Sequence, residues 1–257
     1  MPKTIAFLTA LLVLAPPVTS WTGAATYAGT QTLPLLPNDV RVLHFDPHGR
    51  GRLVTTLGDP SHAKHIAVVL PGSDVDVARS HVLQDMARAV YDQAGRPDDL
   101  AVIAWLGYDT PEGVGVDAAT GRLARDGAKA LTAFVRELPE TAGIHLLCHS
   151  YGSVVCALAA PDIDVDDIVF TGSPGVRTHT AAELRTTARV WAARSSSDWM
   201  RWVPKVRLWD LGHGTDPTST AFGARVFDTG GGTHDEYYRA GSESLKMLAR
   251  IASGDVR

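Results

Sequence analysis

Ser150, Asp198 and His234 are far apart along the chain, yet their types and order suit a nucleophile, an orienting carboxylate and a base. A serine hydroxyl is a poor nucleophile at neutral pH. It needs a base to take its proton and a backbone that exposes its oxygen. The run Cys148-His149-Ser150-Tyr151-Gly152 offers such a backbone. It lies between the apolar stretch Ile144 to Leu147, read as a strand, and Gly152 to Ala160, read as a helix. A sharp strand-to-helix turn needs small residues two positions either side of the serine, so that neighbouring backbones can approach. Gly152 meets that need downstream, while upstream Cys148 replaces the usual glycine.

The base is expected after the last strand. His234 follows Gly230-Gly231-Gly232-Thr233, just ahead of the final helix. His213, in Leu211-Gly212-His213-Gly214, competes with it but precedes that strand; the other eight histidines are expected at the surface or in structural roles. The carboxylate must orient the imidazole and stabilise its charged form. Asp198 follows the strand around Val190, with Asp210 and Asp228 as alternatives. Two backbone N–H groups must face the oxyanion that forms on attack. Tyr151 supplies one, and the other belongs to Leu70-Pro71-Gly72-Ser73-Asp74. Pro71 has no N–H, so Ser73 is the first choice and Gly72 the second.

The elements that must position these residues follow from the apolar patterning. Val40 to Phe45 and Arg52 to Leu57 flank a Gly- and Pro-containing turn and read as a hairpin. Continuous apolar runs at His65 to Leu70 and Leu100 to Leu106 have the look of strands buried on both faces. Helical spacing covers Ser80 to Ala94, Leu123 to Leu138 and Ser242 to Ile251. Ile168 to Thr171, Val190 to Ala193 and Ala224 to Phe227 complete the strands. A hairpin followed by repeated βα units predicts an α/β fold, a mostly parallel sheet with an N-terminal antiparallel hairpin and helices on both faces. Its ligand site is then expected beyond the C-terminal strand ends.

With the serine turn, the Leu70-Pro71-Gly72-Ser73 loop, Trp105-Leu106-Gly107-Tyr108-Asp109-Thr110-Pro111 and His213-Gly214-Thr215-Asp216-Pro217, the chain resembles the actinobacterial α/β-hydrolase family of unknown function, which is serine esterase- or lipase-like. The match runs from about Val40 onward. The resemblance implies the α/β-hydrolase fold, with Ser150, Asp198 and His234 in the order that fold uses. The expected reaction is cleavage of a carboxylic ester through an acyl-enzyme. A thioesterase, amidase or acyltransferase with the same three residues, and a catalytically silent binding protein, are the competing readings. Neither a metal nor an organic cofactor is called for. The expected substrate is a small-molecule or lipid-like ester.

Composition bounds the rest. A chain of 257 residues with 45% hydrophobic content fits one large domain over residues 40–257. The net charge of -4 is small and no basic stripe marks a nucleic-acid partner. Met1-Pro2-Lys3, the apolar run Ile5 to Ala15 and the small residues to Ser20 read as a signal peptide over 1–20, followed by a spacer over 21–39. That run is too short to span a bilayer, so a secreted or cell-envelope-associated protein is expected, with a cytoplasmic one as the alternative. Cys148 and Cys156, on either side of the strand-to-helix turn, are expected as small buried hydrophobes rather than a disulfide. The turn His44 to His48 and the acidic run Asp162 to Asp167 are set aside as metal sites. Trp199, Trp202 and Trp209 are expected to line a pocket or to pack under an irregular segment.

Overall fold

The computed structural model describes residues 31–256. The segment read as a signal peptide, and most of the spacer, lie outside the described residues. Eight strands form one sheet in the order β1-β2-β4-β3-β5-β6-β7-β8. They are β1 (Arg41–Asp46), β2 (Arg52–Leu57), β3 (His65–Leu70), β4 (Leu100–Leu106), β5 (Gly143–His149), β6 (Asp167–Thr171), β7 (Arg189–Ala193) and β8 (Arg225–Val226). β1 and β2 pair antiparallel, β2 joins β4 antiparallel, and every other pairing is parallel. This is the expected hairpin followed by a parallel sheet.

The helices are α1 (His81–Gln93), the short α2 (Val116–Ala119), α3 (Arg122–Val135), α4 (Gly152–Ala159) and α5 (Glu243–Ala252). Side chains alternate across a strand, so the central strands feed two cores. On one face Ile66, Val68 and Leu70 of β3 join Ile144, Leu146 and Cys148 of β5 beneath α3 and α4. On the other, Ala67, Val69 and Leu147 pack with Leu83 and Val90 of α1 and Leu245 and Leu248 of α5. The apolar runs are continuous because both faces of these strands are covered.

Strand order reverses at β3, whose two neighbours, β4 and β5, both follow it in the chain. The C-terminal ends of β3 and β5 are therefore adjacent, with Leu70 level with Cys148. A crevice at such a reversal is where ligands bind in open α/β sheets. Pro71-Gly72 leaves β3 there, and Ser150 leaves β5.

The acidic run Asp162 to Asp167 ends in a buried carboxylate. Asp167 is fully buried and accepts hydrogen bonds from His145 Nδ1 at 2.7 Å, Arg189 Nη2 at 2.7 Å and Trp191 Nε1 at 2.7 Å. Burial raises its pKa, but these partners outweigh burial and hold it below the usual carboxylate range. The hub ties the starts of β5, β6 and β7 together, at the opposite end of the strands from Ser150.

Candidate active site

Ser150 sits between β5 and α4 with φ 52°, in the left-handed region that non-glycine residues seldom adopt. The turn is pinned on both sides. Ser150 N–H donates to the Thr171 carbonyl at 2.8 Å, and Ser153 N–H donates to the Ser150 carbonyl at 3.0 Å. A Cβ on Gly152 would come within 2.6 Å of the Pro71 carbonyl oxygen, so glycine lets α4 start against the β3 loop. A Cβ on Gly72 would stand 2.6 Å from Ser150 Cβ and 3.0 Å from its Oγ. Gly72 is thus directly against the serine. The N–H groups of Gly72, Ser73 and Tyr151 have no backbone acceptor among the described residues.

Cys148 and Cys156 form a disulfide, which corrects the expectation of two free thiols. α4 turns back over the end of β5, bringing the two Cα atoms to 6.5 Å, within the span that a disulfide bridges. The departure from glycine at position 148 thereby has a physical account. That side chain points into the core under α4 and bonds to the helix, whereas the side chain that the turn forbids is at position 152.

His234 is delivered by Gly230, Gly231 and Gly232, at φ 69°, 94° and 109°, a run of positive values that only glycine adopts freely. Its Nε2 lies 2.9 Å from Ser150 Oγ, and its Nδ1 lies 2.9 Å from Asp198 Oδ1. An ionised carboxylate can only accept, so Nδ1 carries the proton and Nε2 is free to accept the serine hydroxyl. Asp198 is fully buried. Its Oδ1 also accepts from Met200 N–H at 2.8 Å, and its Oδ2 accepts from Tyr237 OH at 2.5 Å. Burial raises its pKa; the bonds from His234 and Tyr237 outweigh that and leave it lowered.

His213 is elsewhere. Its Nε2 donates to the Ala118 carbonyl at 2.7 Å, and its ring meets Tyr151 edge-on at 5.5 Å. Asp210 pairs with Arg125 and Arg177, and Asp228 accepts from Gly230 N–H within a turn. None of these alternatives reaches Ser150.

Three contacts escape sequence reasoning. Tyr237 braces Asp198 and, through the same hydroxyl, accepts from Ser195 N–H at 2.9 Å. His149, expected at the surface or in a structural role, has its ring 4.9 Å from that of His234. Burial, followed by the neighbouring His234, lowers its pKa to about 3, so it stays neutral beside that ring. Trp199 also lies 5.1 Å from His234, half exposed. Alternation along β5 is the one available signal, since it sends His149 to the face opposite Cys148. His149, His234 and Asp235 bring ligand atoms within 4.8 Å of one another, the one such grouping among the described residues. A cation held there would compete with Ser150 and Asp198 for the His234 nitrogens.

A sheet with this order, carrying a serine at the β5–α4 turn with a histidine and an aspartate in line behind it, defines the class to which the comparisons also lead. Residues 46–208 match the family model described as alpha/beta hydrolase, and the chain belongs to that family. It is 34% identical over 263 residues to the uncharacterized protein Rv2079 of Mycobacterium tuberculosis, covering 86% of this chain and 40% of that one. A second relative, the uncharacterized protein Mb0988c of Mycobacterium bovis, is 34% identical over 144 residues, covering 50% of this chain and 54% of its own. The chain thus spans well under two thirds of the curated relatives it matches. Among solved structures, an α/β serine hydrolase without lid from Xanthomonas campestris superposes with TM-score 0.50 at 19% identity, over 86% of this chain and 97% of that one. The esterase PE8 gives 0.51 at 13% identity, over 78% and 97%. At such identities these two share the fold.

Proposed function

We propose that the chain hydrolyses carboxylic esters, with Ser150 as nucleophile, His234 as general base and Asp198 as its orienting carboxylate. The observation that carries this is the unbroken line from Ser150 Oγ through His234 to Asp198, with both gaps at 2.9 Å. In the first step His234 Nε2 takes the hydroxyl proton as Ser150 Oγ attacks the carbonyl carbon. The oxyanion is held by Tyr151 N–H and by an N–H of the Gly72-Ser73 turn, Ser73 being our assignment. Collapse expels the alcohol, which receives its proton from His234. Water activated by the same nitrogen then cleaves the acyl-enzyme and releases the acid.

Residues 40–257 form the catalytic domain in this reading, and the chain is exported by cleavage after Ser20. The Cys148–Cys156 disulfide supports export, since such bonds persist in oxidising compartments. Labelling by a fluorophosphonate, read by intact mass on protein from the culture medium, tests both points. The wild type is expected to gain one adduct on a chain starting at Trp21, and Ser150→Ala and His234→Ala to gain none. Ser150→Ala is also expected to lose about 10³- to 10⁶-fold in aryl-ester turnover. Labelling that survives in Ser150→Ala would overturn the assignment.

A further inference from the structure

Eleven large hydrophobic side chains are exposed among the described residues, and eight of them fall in two short segments, 114–116 and 199–211. Isolated exposed apolar residues are ordinary, whereas a concentration marks a surface that meets something. This one includes Trp199, Trp202 and Trp209, three of the chain's six tryptophans. Trp202 and Trp209 are 75% and 89% exposed, which leaves them out of the packed layer that is one of the two readings of these tryptophans.

The two segments make one braced platform. Leu211 bridges to Thr120, and Gly212 N–H donates to the Ala119 carbonyl at 2.7 Å. Leu208 and Leu211 close a tight turn with Trp209 near its tip. Asp210 in that turn is gripped by Arg125 at 2.7 and 3.0 Å and by Arg177 at 2.6 Å. Trp209 is therefore held out into solvent by ion pairs, not left there by a slack loop.

The platform touches the active site at two points. Tyr151, next to the nucleophile, donates its hydroxyl to the Thr120 carbonyl at 2.7 Å, and Trp199 lies against His234. Charge on the platform has one sign to spare. Glu112 pairs with Arg50, Asp117 pairs with Arg122, and Asp210 is paired as above. Arg201 and Arg207 are exposed and form no ion pair among the described residues; Arg201 lies over the Trp202 ring at 4.9 Å.

Indole rings, branched aliphatic side chains and guanidinium groups free of ion pairs, gathered in two linked segments, suit the headgroup layer of an anionic lipid surface. A protein partner also takes tryptophan and arginine, but one seated here would cover Trp199, which lies against His234. A lipid surface lying there supplies substrate instead. We infer that this face docks on anionic lipid aggregates and that water-insoluble long-chain esters pass from them to Ser150. The substrate part rests on the ester-hydrolase reading; the docking part does not.

The test uses the full chain carrying Ser150→Ala, so that no turnover occurs, with vesicles of equimolar phosphatidylglycerol and phosphatidylcholine. Co-sedimentation is expected, and pure phosphatidylcholine vesicles are expected to bind more weakly. Adding Trp202→Ser and Trp209→Ser is expected to weaken binding by about tenfold or more, with the melting temperature unchanged as evidence of an intact fold. Three results would overturn the inference: no binding to either vesicle, equal binding after both tryptophans are removed, or a dimer without vesicles that the tryptophan variants abolish. Since binding is read without the nucleophile, its failure leaves the hydrolase reading intact. Failure of fluorophosphonate labelling likewise leaves the binding result intact.

Discussion

Asp198 accepts hydrogen bonds from His234, Tyr237 and the Met200 N–H, and each fixes something different. The backbone bond sets the carboxylate's place, Tyr237 sets its rotation, and His234 receives the benefit as a fixed tautomer. Tyr237 is a positioning residue in the proposed mechanism. Tyr237→Phe removes one bond to a charged group, worth about 1.5 to 3 kcal/mol. We expect kcat on a soluble ester to fall about ten- to a hundredfold, with KM nearly unchanged; equal kcat in steady-state assays would refute the role. Ser150, His234 and Asp198 were legible because chain order and neighbouring strands single them out. Tyr237 was not, because its hydroxyl meets Asp198 only once the glycine-rich loop has closed over β7, and nothing in Tyr237-Tyr238 says which ring will do so.

At the scale of elements, β3 and β4 fall where the apolar runs put them, since burial on both faces leaves an uninterrupted signal, and β2 falls where the hairpin pattern put it. α3 ends at Val135, three residues short of the expected Leu138, where Glu137 and Leu138 close tighter turns instead. The Cys148–Cys156 bond was misread because sequence spacing does not disclose how steeply α4 turns back on β5. The bond closes a short loop that contains Ser150, with a sequence separation of 8. Chain-entropy arguments give such a loop about 2 to 3 kcal/mol. The double variant Cys148→Ala/Cys156→Ala is expected to lose that much stability in urea unfolding, and an unchanged midpoint would count against any bracing role.

For the whole molecule, buried and half-buried histidines set the response to acid. His44, His65, His149 and His213 all have pKa values lowered chiefly by burial, His149 to about 3. Below the ordinary histidine value of 6.5 the unfolded chain binds protons that the native chain refuses. Stability therefore rises with pH through that window, is complete above it, and is lost as pH falls from 6.5 toward 3. The depressed carboxylates Asp167 and Asp198 add a second loss at still lower pH, when they take up protons. The melting temperature is expected to drop between about pH 7.5 and about pH 5, and less steeply in His149→Gln. A flat or rising profile would show that these imidazoles are not what couples this fold to pH. No helix among the described residues is long and apolar enough to cross a membrane.

The disulfide around Ser150 also makes the region unusually easy to follow by peptide chemistry. Between Arg136 and Arg177 the chain has neither lysine nor arginine, so trypsin releases residues 137–177 as one piece. That piece carries Ser150 and both cysteines, and its cross-link is internal. A single peptide mass then reports two things at once: whether the serine has been modified, and whether the sulfurs beside it are joined.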